Sequence, residues 1–454
     1  MEYKQLVWQQ RAFFKTGRTK SVAFRKEILA RMYRWICQHE NLILSALHRD
    51  LNKSPFEAYA TEVGIVKEEV KYALKHIDQW SKPEYVSSPL TQFPSKSFIY
   101  PEPYGVVLIM SPWNYPFQLA AAPLLGAICA GNCAIVKPSA YSPNTAKVIT
   151  AMIDDLFPQK YVAVIQGGRT ENQALLNEHF DYIFFTGSVN VGKYVMEKAA
   201  AHLTPVSLEL GGKSPCIVDE TADLKLAARR IIWGKLLNAG QTCVAPDYIL
   251  VHNRVKDKLI KNMTKMIHKM YGSAPCYNPE YPVIVNEKHF DRLCGLMKSE
   301  HIATGGAVRR DSRQIEPTIL DRITWESPVM QEEIFGPILP VMAFYDIREV
   351  IEVVNARPKP LALYYFTNSK AREAQVLRSI SFGGGCINDT VVHVASSRLP
   401  FGGVGSSGMG AYHGKASFDT FTHKKSMIKK SRHIDIPIRY APFGSKLNLL
   451  KRIQ

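Results

Sequence analysis

The sequence contains none of the cysteine and histidine spacings that mark a structural metal site. Its eight cysteines include no Cys-x-x-Cys pair and no Cys/His cluster with zinc-finger spacing. The first residues also lack the positive region, apolar centre and cleavage site of a secretory signal. We therefore expect no metal site, and a cytoplasmic chain whose thiols stay reduced.

Net charge is scarce in the middle of the chain, although the 454 residues carry a formal charge of +17. Residues 1–35 contain nine Lys or Arg and two Glu, and residues 421–454 contain nine Lys or Arg and one Asp. Nucleic-acid-binding proteins typically carry basic residues through their body, with aromatic residues between them. We therefore expect no nucleic-acid partner, and two solvated basic ends.

Long apolar runs are also scarce, with one exception at residues 103–136, which contain no charged side chain. This run exceeds the ~20 residues that cross a bilayer. Pro112, Pro116 and Pro123 nevertheless divide it into a strand, a loop, a helix and a second strand, which is typical of a buried α/β core. Because residues 446–454 mix basic and apolar side chains, we predict no transmembrane segment there either.

The basic tail, residues 431–454, has two interpretations. A basic and partly apolar segment can lie on an anionic membrane surface as a peripheral contact. It can also pack across a partner subunit, and we favour this second interpretation.

Short apolar runs alternate with helical stretches from Gly105 onward, which predicts a doubly wound parallel sheet with ligands at the carboxyl ends of its strands. The strands of this first block are expected near residues 106–109, 134–136, 162–165 and 182–185. A second alternating block begins near Val206. We therefore predict two α/β units in one chain.

The parts outside the two blocks have different patterns. The first 80 residues are predicted to be helical, with Glu- and Lys-rich faces and apolar positions at helical spacing, such as Val63, Val66, Val70 and Leu74. Residues 81–103 contain five prolines with β-forming residues between them, which favours a bridging hairpin or a linker.

The strongest candidate for chemistry is the run Asn238-Ala239-Gly240-Gln241-Thr242-Cys243, a helix end with a glycine exit and a cysteine on the following turn. A cysteine at such a corner can be exposed and backed by backbone N–H groups. These groups favour a thiolate and stabilise negative charge on the atom that it attacks. Most cysteines are inert packing residues, so this motif alone leaves both roles open.

Two other side chains could assist such a thiol. Glu209 lies in an apolar strand before two glycines, where partial burial would raise its pKa and suit it to act as a general base on water. The alternative is a pair with Lys213 or a turn cap. Asn114 lies in the rigid loop Pro112-Trp113-Asn114-Tyr115-Pro116, either as a hydrogen-bond donor to a ligand or as a partner of its own loop.

Two strand ends could receive a dinucleotide. Lys137 ends one strand, and Gly187-Ser188-Val189-Asn190-Val191-Gly192 forms a strand-to-helix corner that can present backbone N–H groups to a pyrophosphate. The corner is not Gly-x-Gly-x-x-Gly, so an ordinary turn and a solvated lysine are the alternatives. Together the candidates fit the oxidation of an aldehyde through a covalent thioester, with the hydride passing to a nicotinamide.

Seven motifs, taken in chain order, resemble those of the aldehyde dehydrogenase superfamily, and specifically of its class 3 branch. They span nearly the whole chain. The motifs are Pro112 to Pro116, Val136 to Ser139, Phe185 to Ser188, Leu208 to Lys213, Gly240 to Tyr248, Glu332 to Pro337, and Pro400 to Gly410.

The resemblance implies a role for each candidate residue. Cys243 would be the nucleophile, Glu209 the general base for deacylation, and Asn114 would form the oxyanion hole with the Cys243 backbone N–H. The other implied residues are Lys137 at the adenosine ribose, Gly187, Ser188 and Gly192 at the pyrophosphate, Glu333 and Phe335 at the nicotinamide ribose, and Tyr115 and Phe401 in the substrate pocket.

The resemblance also implies the architecture, a Rossmann-like dinucleotide-binding domain with a second α/β catalytic domain and a small β bridging element. The expected boundaries are 1–80 and 104–208 for the first domain, 209–395 for the catalytic domain, 81–103 and 396–430 for the bridging and oligomerisation element, and 431–454 for the tail. A homodimer is expected, acting on medium- or long-chain aliphatic or aromatic aldehydes with NAD or NADP.

One position departs from the family pattern. The residue after Lys137-Pro138-Ser139 is often Glu, which accepts a ribose hydroxyl and repels a 2′-phosphate, whereas this chain has Ala140. We therefore predict that NADP is tolerated at least as well as in relatives that carry Glu. Release of the acyl group to coenzyme A is an alternative reaction, but it would leave Glu209 without a task.

Overall fold

The computed structural model describes residues 3–453, and its first layer is helical. The helices of this layer are α1 (Tyr3–Lys15), α2 (Val22–Gln38), α3 (Glu40–Leu51), α4 (Pro55–Ala58) and α5 (Gly64–Trp80). A π-helical turn, Tyr59–Val63, joins α4 to α5. The predicted apolar face is confirmed, because Val63, Val66 and Val70 are buried and Leu74 is half-buried.

A three-stranded antiparallel sheet follows in the chain. It contains β1 (Glu84–Val86), β2 (Ser95–Pro103) and, from the far end of the chain, β18 (Thr422–Lys430), in the order β1-β2-β18. β18 pairs with β2 over nine residues, from Thr422 opposite Pro103 to Lys430 opposite Ser95. The proline-rich segment is therefore a hairpin that receives a third strand.

A six-stranded sheet forms the first α/β block. Its strands are β3 (Val106–Met110), β4 (Cys133–Lys137), β5 (Val162–Val164), β6 (Tyr182–Gly187), β7 (Val206–Leu210) and β17 (Gly408–Met409), in the order β17-β7-β6-β3-β4-β5. Its helices are α6 (Gln118–Ala130), α7 (Pro143–Leu156), α8 (Arg169–Leu176) and α9 (Val189–Ala200). Because β3 to β7 pair in parallel, their carboxyl ends share one edge, as the alternating pattern predicts.

The long uncharged run forms part of the core of this block. It contains β3, α6 and β4, whose residues are all buried. Across residues 3–453 no helix combines the length and the apolarity that a membrane span requires. The run is apolar on all sides because it is covered on all sides.

A seven-stranded sheet forms the second block, in the order β10-β13-β14-β9-β8-β15-β16. Its strands are β8 (Pro215–Val218), β9 (Tyr248–His252), β10 (His301–Thr304), β13 (Thr318–Asp321), β14 (Ile338–Phe344), β15 (Ala362–Phe366) and β16 (Gly384–Ile387). A short hairpin of β11 (Val308–Arg309) and β12 (Gln314–Ile315) lies beside it. The helices around it are α10 (Leu224–Leu236), α11 (Lys256–Tyr271), α12 (Glu287–Met297), α13 (Pro328–Gln331), α14 (Ile347–Asn355) and α15 (Lys370–Ser379).

The prediction that the second block begins near Val206 is wrong. β7 pairs in parallel with β6 and therefore belongs to the first sheet, so the second block begins at β8. An apolar run predicts a strand but does not identify the sheet that the strand joins. The chain ends with α16 (Lys415–Thr420), β18 and α17 (Lys446–Ile453).

Candidate active site

Cys243 follows the turn that ends α10. Asn238 and Ala239 have φ values of 52° and 51°, and Gly240 has φ 77°, so three consecutive residues are left-handed. Gly240 is required here, because a Cβ atom would lie 2.2 Å from the Gly336 carbonyl oxygen. The turn brings Cys243 to the wall of a cavity.

The thiol is not the exposed group that the sequence predicts. Cys243 is half-buried. Burial, together with the charges of Glu333 and Glu209, raises its pKa to about 12. The backbone N–H groups of Cys243 and Val244 act in the opposite direction, as predicted, but they are outweighed. In the free protein, desolvation of the thiol therefore exceeds the effect of the N–H groups.

Asn114 lies against the cysteine turn, in the loop between β3 and α6. Its Nδ2 donates to the Gln241 carbonyl oxygen at 3.0 Å, and the neighbouring Tyr115 hydroxyl is 2.6 Å from Thr242 Oγ1. The amide therefore does not merely satisfy its own loop. Among residues 3–453, only one of the two Nδ2 N–H groups has a hydrogen-bond acceptor.

Glu209 is the penultimate residue of β7. It is 3% exposed, and neither carboxyl oxygen has a hydrogen-bond partner within residues 3–453. Burial raises its pKa well above the usual range of a carboxyl group. Lys213 hydrogen-bonds Asp247 instead, so the alternative pairing of Glu209 with Lys213 is wrong.

Four candidate residues lie at the edge where the parallel strands end. Lys137 ends β4, and its Nζ donates to the carbonyl oxygens of Pro138 at 2.9 Å and Gly167 at 2.7 Å. Gly187 ends β6, Ser188 caps α9, and Gly192 is buried in the first turns of α9. A Cβ atom on Gly192 would lie 2.6 Å from Leu210 Cδ2, so glycine brings the helix close to β7.

Glu333 approaches the same region from the second block. Its carboxyl lies against Gly211, where a Cβ atom would be 2.0 Å from Glu333 Oε2, and it accepts a hydrogen bond from the Gly212 N–H. Burial and the Asp247 charge raise its pKa to about 8. Phe335 is left-handed at φ 51°, with its ring edge-on to Trp113 at 5.4 Å.

A cavity of about 410 Å³ joins the cysteine to the predicted pocket residues. Tyr115, Phe401 and Cys243 all line it. Most of its other lining residues are apolar, and its polar wall includes His413, whose Nδ1 is 3.1 Å from the buried Glu69 carboxyl. The size is typical of a small-molecule site, and the thiol lies in its wall.

Several buried charged residues around the site were not predicted. Lys53, Glu57 and Glu62 precede or lie within α4 and the π-helical turn, and all three are buried. The sequence places them among the Glu- and Lys-rich faces of the first helices, which are the ordinary sign of solvent exposure. One signal could have identified them: Ser54-Pro55 interrupts the helical pattern shortly before Glu57 and Glu62, so these acids follow a turn.

Lys235 is another such residue. It is buried in α10, and its Nζ has no hydrogen-bond partner in the described part of the chain. Burial lowers its pKa to about 8, and Asp247 and Glu333 are the acidic groups that act on it. Its helical position predicts packing, and nothing in the local sequence marks it as a site residue.

Comparison with known proteins gives consistent matches. The model described as "Aldehyde dehydrogenase family" matches residues 1–427. A 4,4′-diaponeurosporen-aldehyde dehydrogenase from Staphylococcus aureus is 51% identical over 450 residues, covering 99% of this chain and 98% of that protein. A "dimeric NADP-preferring" aldehyde dehydrogenase from Rattus norvegicus is 44% identical over 425 residues, covering 94% of each. A solved structure, "Substrate bound state of Staphylococcus Aureus AldH", has a TM-score of 0.97 at 51% identity and 99% coverage of both chains.

Proposed function

The chain belongs to the aldehyde dehydrogenase family, and we propose that Cys243, Glu209 and Asn114 perform its reaction, the NAD- or NADP-dependent oxidation of an aldehyde to a carboxylic acid. The observation that carries these assignments is their convergence. Cys243 lines the cavity, Asn114 Nδ2 donates to the Gln241 carbonyl oxygen two residues before it, and the charge of the Glu209 carboxyl, which has no hydrogen-bond partner among the described residues, acts on the Cys243 thiol. Addition to the carbonyl uses the nucleophile and the oxyanion donor, and hydrolysis of the thioester uses the base.

The proposed reaction begins when the Cys243 thiol gives its proton to the ionised Glu333 carboxylate, whose charge acts on it, and the sulfur attacks the aldehyde carbon. The second N–H of Asn114 and the Cys243 backbone N–H donate to the oxyanion that forms. A bound nicotinamide cofactor supplies the acceptor for the hydride that leaves this carbon. Glu209, in its ionised form, then takes a proton from water, which attacks the thioester and releases the acid.

The residues at the strand ends fit a dinucleotide. Lys137 uses two of its three N–H donors on backbone carbonyls, which leaves one for a ribose hydroxyl. Gly187, Ser188 and Gly192 offer the start of α9 to the pyrophosphate. Glu333 and Phe335 are proposed at the nicotinamide ribose. Because Ala140 is exposed and uncharged, no carboxylate at this position repels a 2′-phosphate.

The cavity indicates the class of substrate. Its described lining contains Glu57 and Glu280 but no Lys or Arg, and apolar side chains form most of it. An aldehyde with a distant carboxylate would therefore lose hydration without gaining a cation. We propose apolar aldehydes, either aromatic or of medium or long chain, with Tyr115 and Phe401 against them.

We also propose a cytoplasmic homodimer with the predicted domain boundaries, except that β7 and β17 belong to the first domain. The tail supports the dimer, because Leu447, Leu449 and Leu450 of α17 are exposed beside Lys446 and Lys451. An apolar helix face of this kind needs a cover. Removing residues 431–454 should weaken the dimer in sedimentation analysis. Loss of binding to anionic vesicles, with the dimer intact, would instead favour the peripheral membrane contact.

The test of the catalytic assignment compares Cys243→Ala with the matched variant Cys294→Ala. Both replace a half-buried cysteine, but Cys294 lies in α12, outside the cavity. We expect Cys243→Ala to reduce kcat by at least about 10³-fold with a panel of aldehydes and both cofactors. Cys294→Ala should retain activity. Activity retained in Cys243→Ala would exclude that thiol as the nucleophile.

A further inference from the structure

A buried charged cluster contains Glu57, which lines the cavity, and Lys53 and Glu62, which lie behind it. Lys53 Nζ is 2.5 Å from Glu62 Oε1, and both side chains are completely buried. A buried ion pair of this kind adds little net stability, because the desolvation of both charges offsets their attraction. Its contacts with the backbone are therefore more informative than the ion pair itself.

The ion pair holds the loop that carries Asn114. Lys53 Nζ donates to the Asn114 carbonyl oxygen at 2.9 Å. Glu62 Oε2 accepts from the N–H groups of Phe117 at 2.8 Å and Gln118 at 3.2 Å. Together the two charges fix both ends of the segment 114–118.

The same cluster holds the turn that carries Cys243. Glu57 Oε1 accepts from the Asn238 N–H at 2.6 Å, at the first of the three left-handed residues. A left-handed conformation is unfavourable for residues other than glycine, so a hydrogen bond to a buried carboxyl helps to hold it. Asn238 Nδ2 then donates to the Asn114 carbonyl oxygen at 2.8 Å, which is the atom that Lys53 also binds.

A third connection runs through Tyr115. Lys53 Nζ lies 4.0 Å from the centre of the Tyr115 ring, and the Tyr115 hydroxyl is 2.6 Å from Thr242 Oγ1, one residue before Cys243. The three N–H groups of Lys53 thus have three partners: Glu62, the Asn114 carbonyl and the Tyr115 ring. Each partner belongs either to the cluster or to the Asn114 loop.

We propose that Lys53, Glu57 and Glu62 are positioning residues, which set the Asn114 amide and the Cys243 turn at a fixed separation. This inference rests on the proposed roles of Asn114 and Cys243. Lys53 and Glu62 do not line the cavity, so they act through the two loops that they hold. A displacement of about 1 Å in such a site can cost about 10²-fold in rate.

The first test replaces the ion pair with apolar residues, Lys53→Met with Glu62→Leu, so that no unpaired charge remains buried. We expect kcat to fall by about 10-fold or more, while the Kd of NADP, measured by isothermal titration calorimetry, stays within about 2-fold. The control is Lys256→Met with Asp321→Leu, which removes a partly buried ion pair of the second block. The control should retain kcat.

The second test substitutes Glu57 alone, so that it does not depend on the folding of the double variant; because Glu57 also lines the cavity, KM for the aldehyde is measured beside kcat. Glu57→Gln keeps an acceptor oxygen for the Asn238 N–H, and Glu57→Leu does not. We expect Glu57→Gln to retain kcat within about 3-fold and Glu57→Leu to lose about 10-fold, with the same Kd for NADP. A role confined to stability would lower the Tm of both variants without this separation in kcat.

Two results would overturn the inference: wild-type kcat in the Lys53→Met, Glu62→Leu variant, or wild-type kcat in Glu57→Leu. Cys243→Ala is assayed beside them. If Cys243→Ala is inactive while the cluster variants are fully active, the positioning role fails and the proposed function stands. If Cys243→Ala is active, the proposed function itself fails.

Discussion

Replacing Glu209 with Gln should stabilise the protein increasingly, relative to the wild type, as the pH rises. The carboxyl is buried without a hydrogen-bond partner among the described residues, and its pKa is raised well above 4.5. Between the pKa of the unfolded chain and this raised value, the folded chain keeps a proton that the unfolded chain releases. The free energy of unfolding of the wild type therefore falls by about 1.4 kcal/mol for each pH unit in that range. The amide of Glu209→Gln does not titrate, so the variant lacks this slope.

The assay is the difference in Tm between Glu209→Gln and the wild type at pH 5.5, 6.5, 7.5 and 8.5, at one scan rate. With the entropy of unfolding scaled to this chain length, about 1.4 kcal/mol corresponds to a shift of about 1–3 °C for each pH unit. Glu197→Gln, on an exposed position of α9, is the control and should leave the slope unchanged. A difference in Tm that does not change with pH would show that the Glu209 carboxyl is not held protonated in the folded protein. The same variant should lose deacylation.

Three other predictions concern the thiol, the cofactor and the pocket. Because the pKa of Cys243 is near 12, we expect the rate at which iodoacetamide alkylates its thiol to rise about 10-fold for each pH unit from pH 7 to pH 9. Mass spectrometry of the peptide that contains Cys243 measures this rate. A rate that stops rising within this range would contradict the prediction. Ala140→Glu should lower the ratio of kcat/KM with NADP to kcat/KM with NAD by about 10-fold, and Ala140→Gln should leave this ratio unchanged. The same ratio in the two variants would refute a charge effect. Phe401→Leu, which shortens a buried ring in the cavity, should raise KM for aromatic aldehydes more than for aliphatic ones, and an equal rise for both classes would argue against ring contact.

The fold was predictable where one signal dominates. Strand-helix alternation from Gly105 predicts β3, β4, β5 and β6 within one or two residues at each end. The pattern fails at β7, which it assigns to the second block although the strand pairs with β6. Periodicity reports whether a segment is buried, and the partner of a strand depends on contacts between residues distant in the chain.

The candidate site was predictable from motifs but its environment was not. Burial of Glu209 follows from the apolar strand around it, which predicts the direction of its pKa shift correctly. The sequence predicts a lowered pKa for Cys243, because a turn of N–H groups is visible in it while the charges of Glu209 and Glu333 beside the sulfur are not. Lys53 was missed for the same reason, since a lysine in a helical, charged segment is usually solvated.

The raised pKa values of the site have a common consequence for the nucleophile. Glu333 can take the proton of Cys243 only in its ionised form, and burial together with the Asp247 charge raises its pKa to about 8. The ionised carboxylate in turn raises the pKa of the thiol, so the transfer removes the charge that opposes it. Catalysis by the thiolate therefore requires that Glu333 be ionised when the substrate arrives, while the thiol is still neutral.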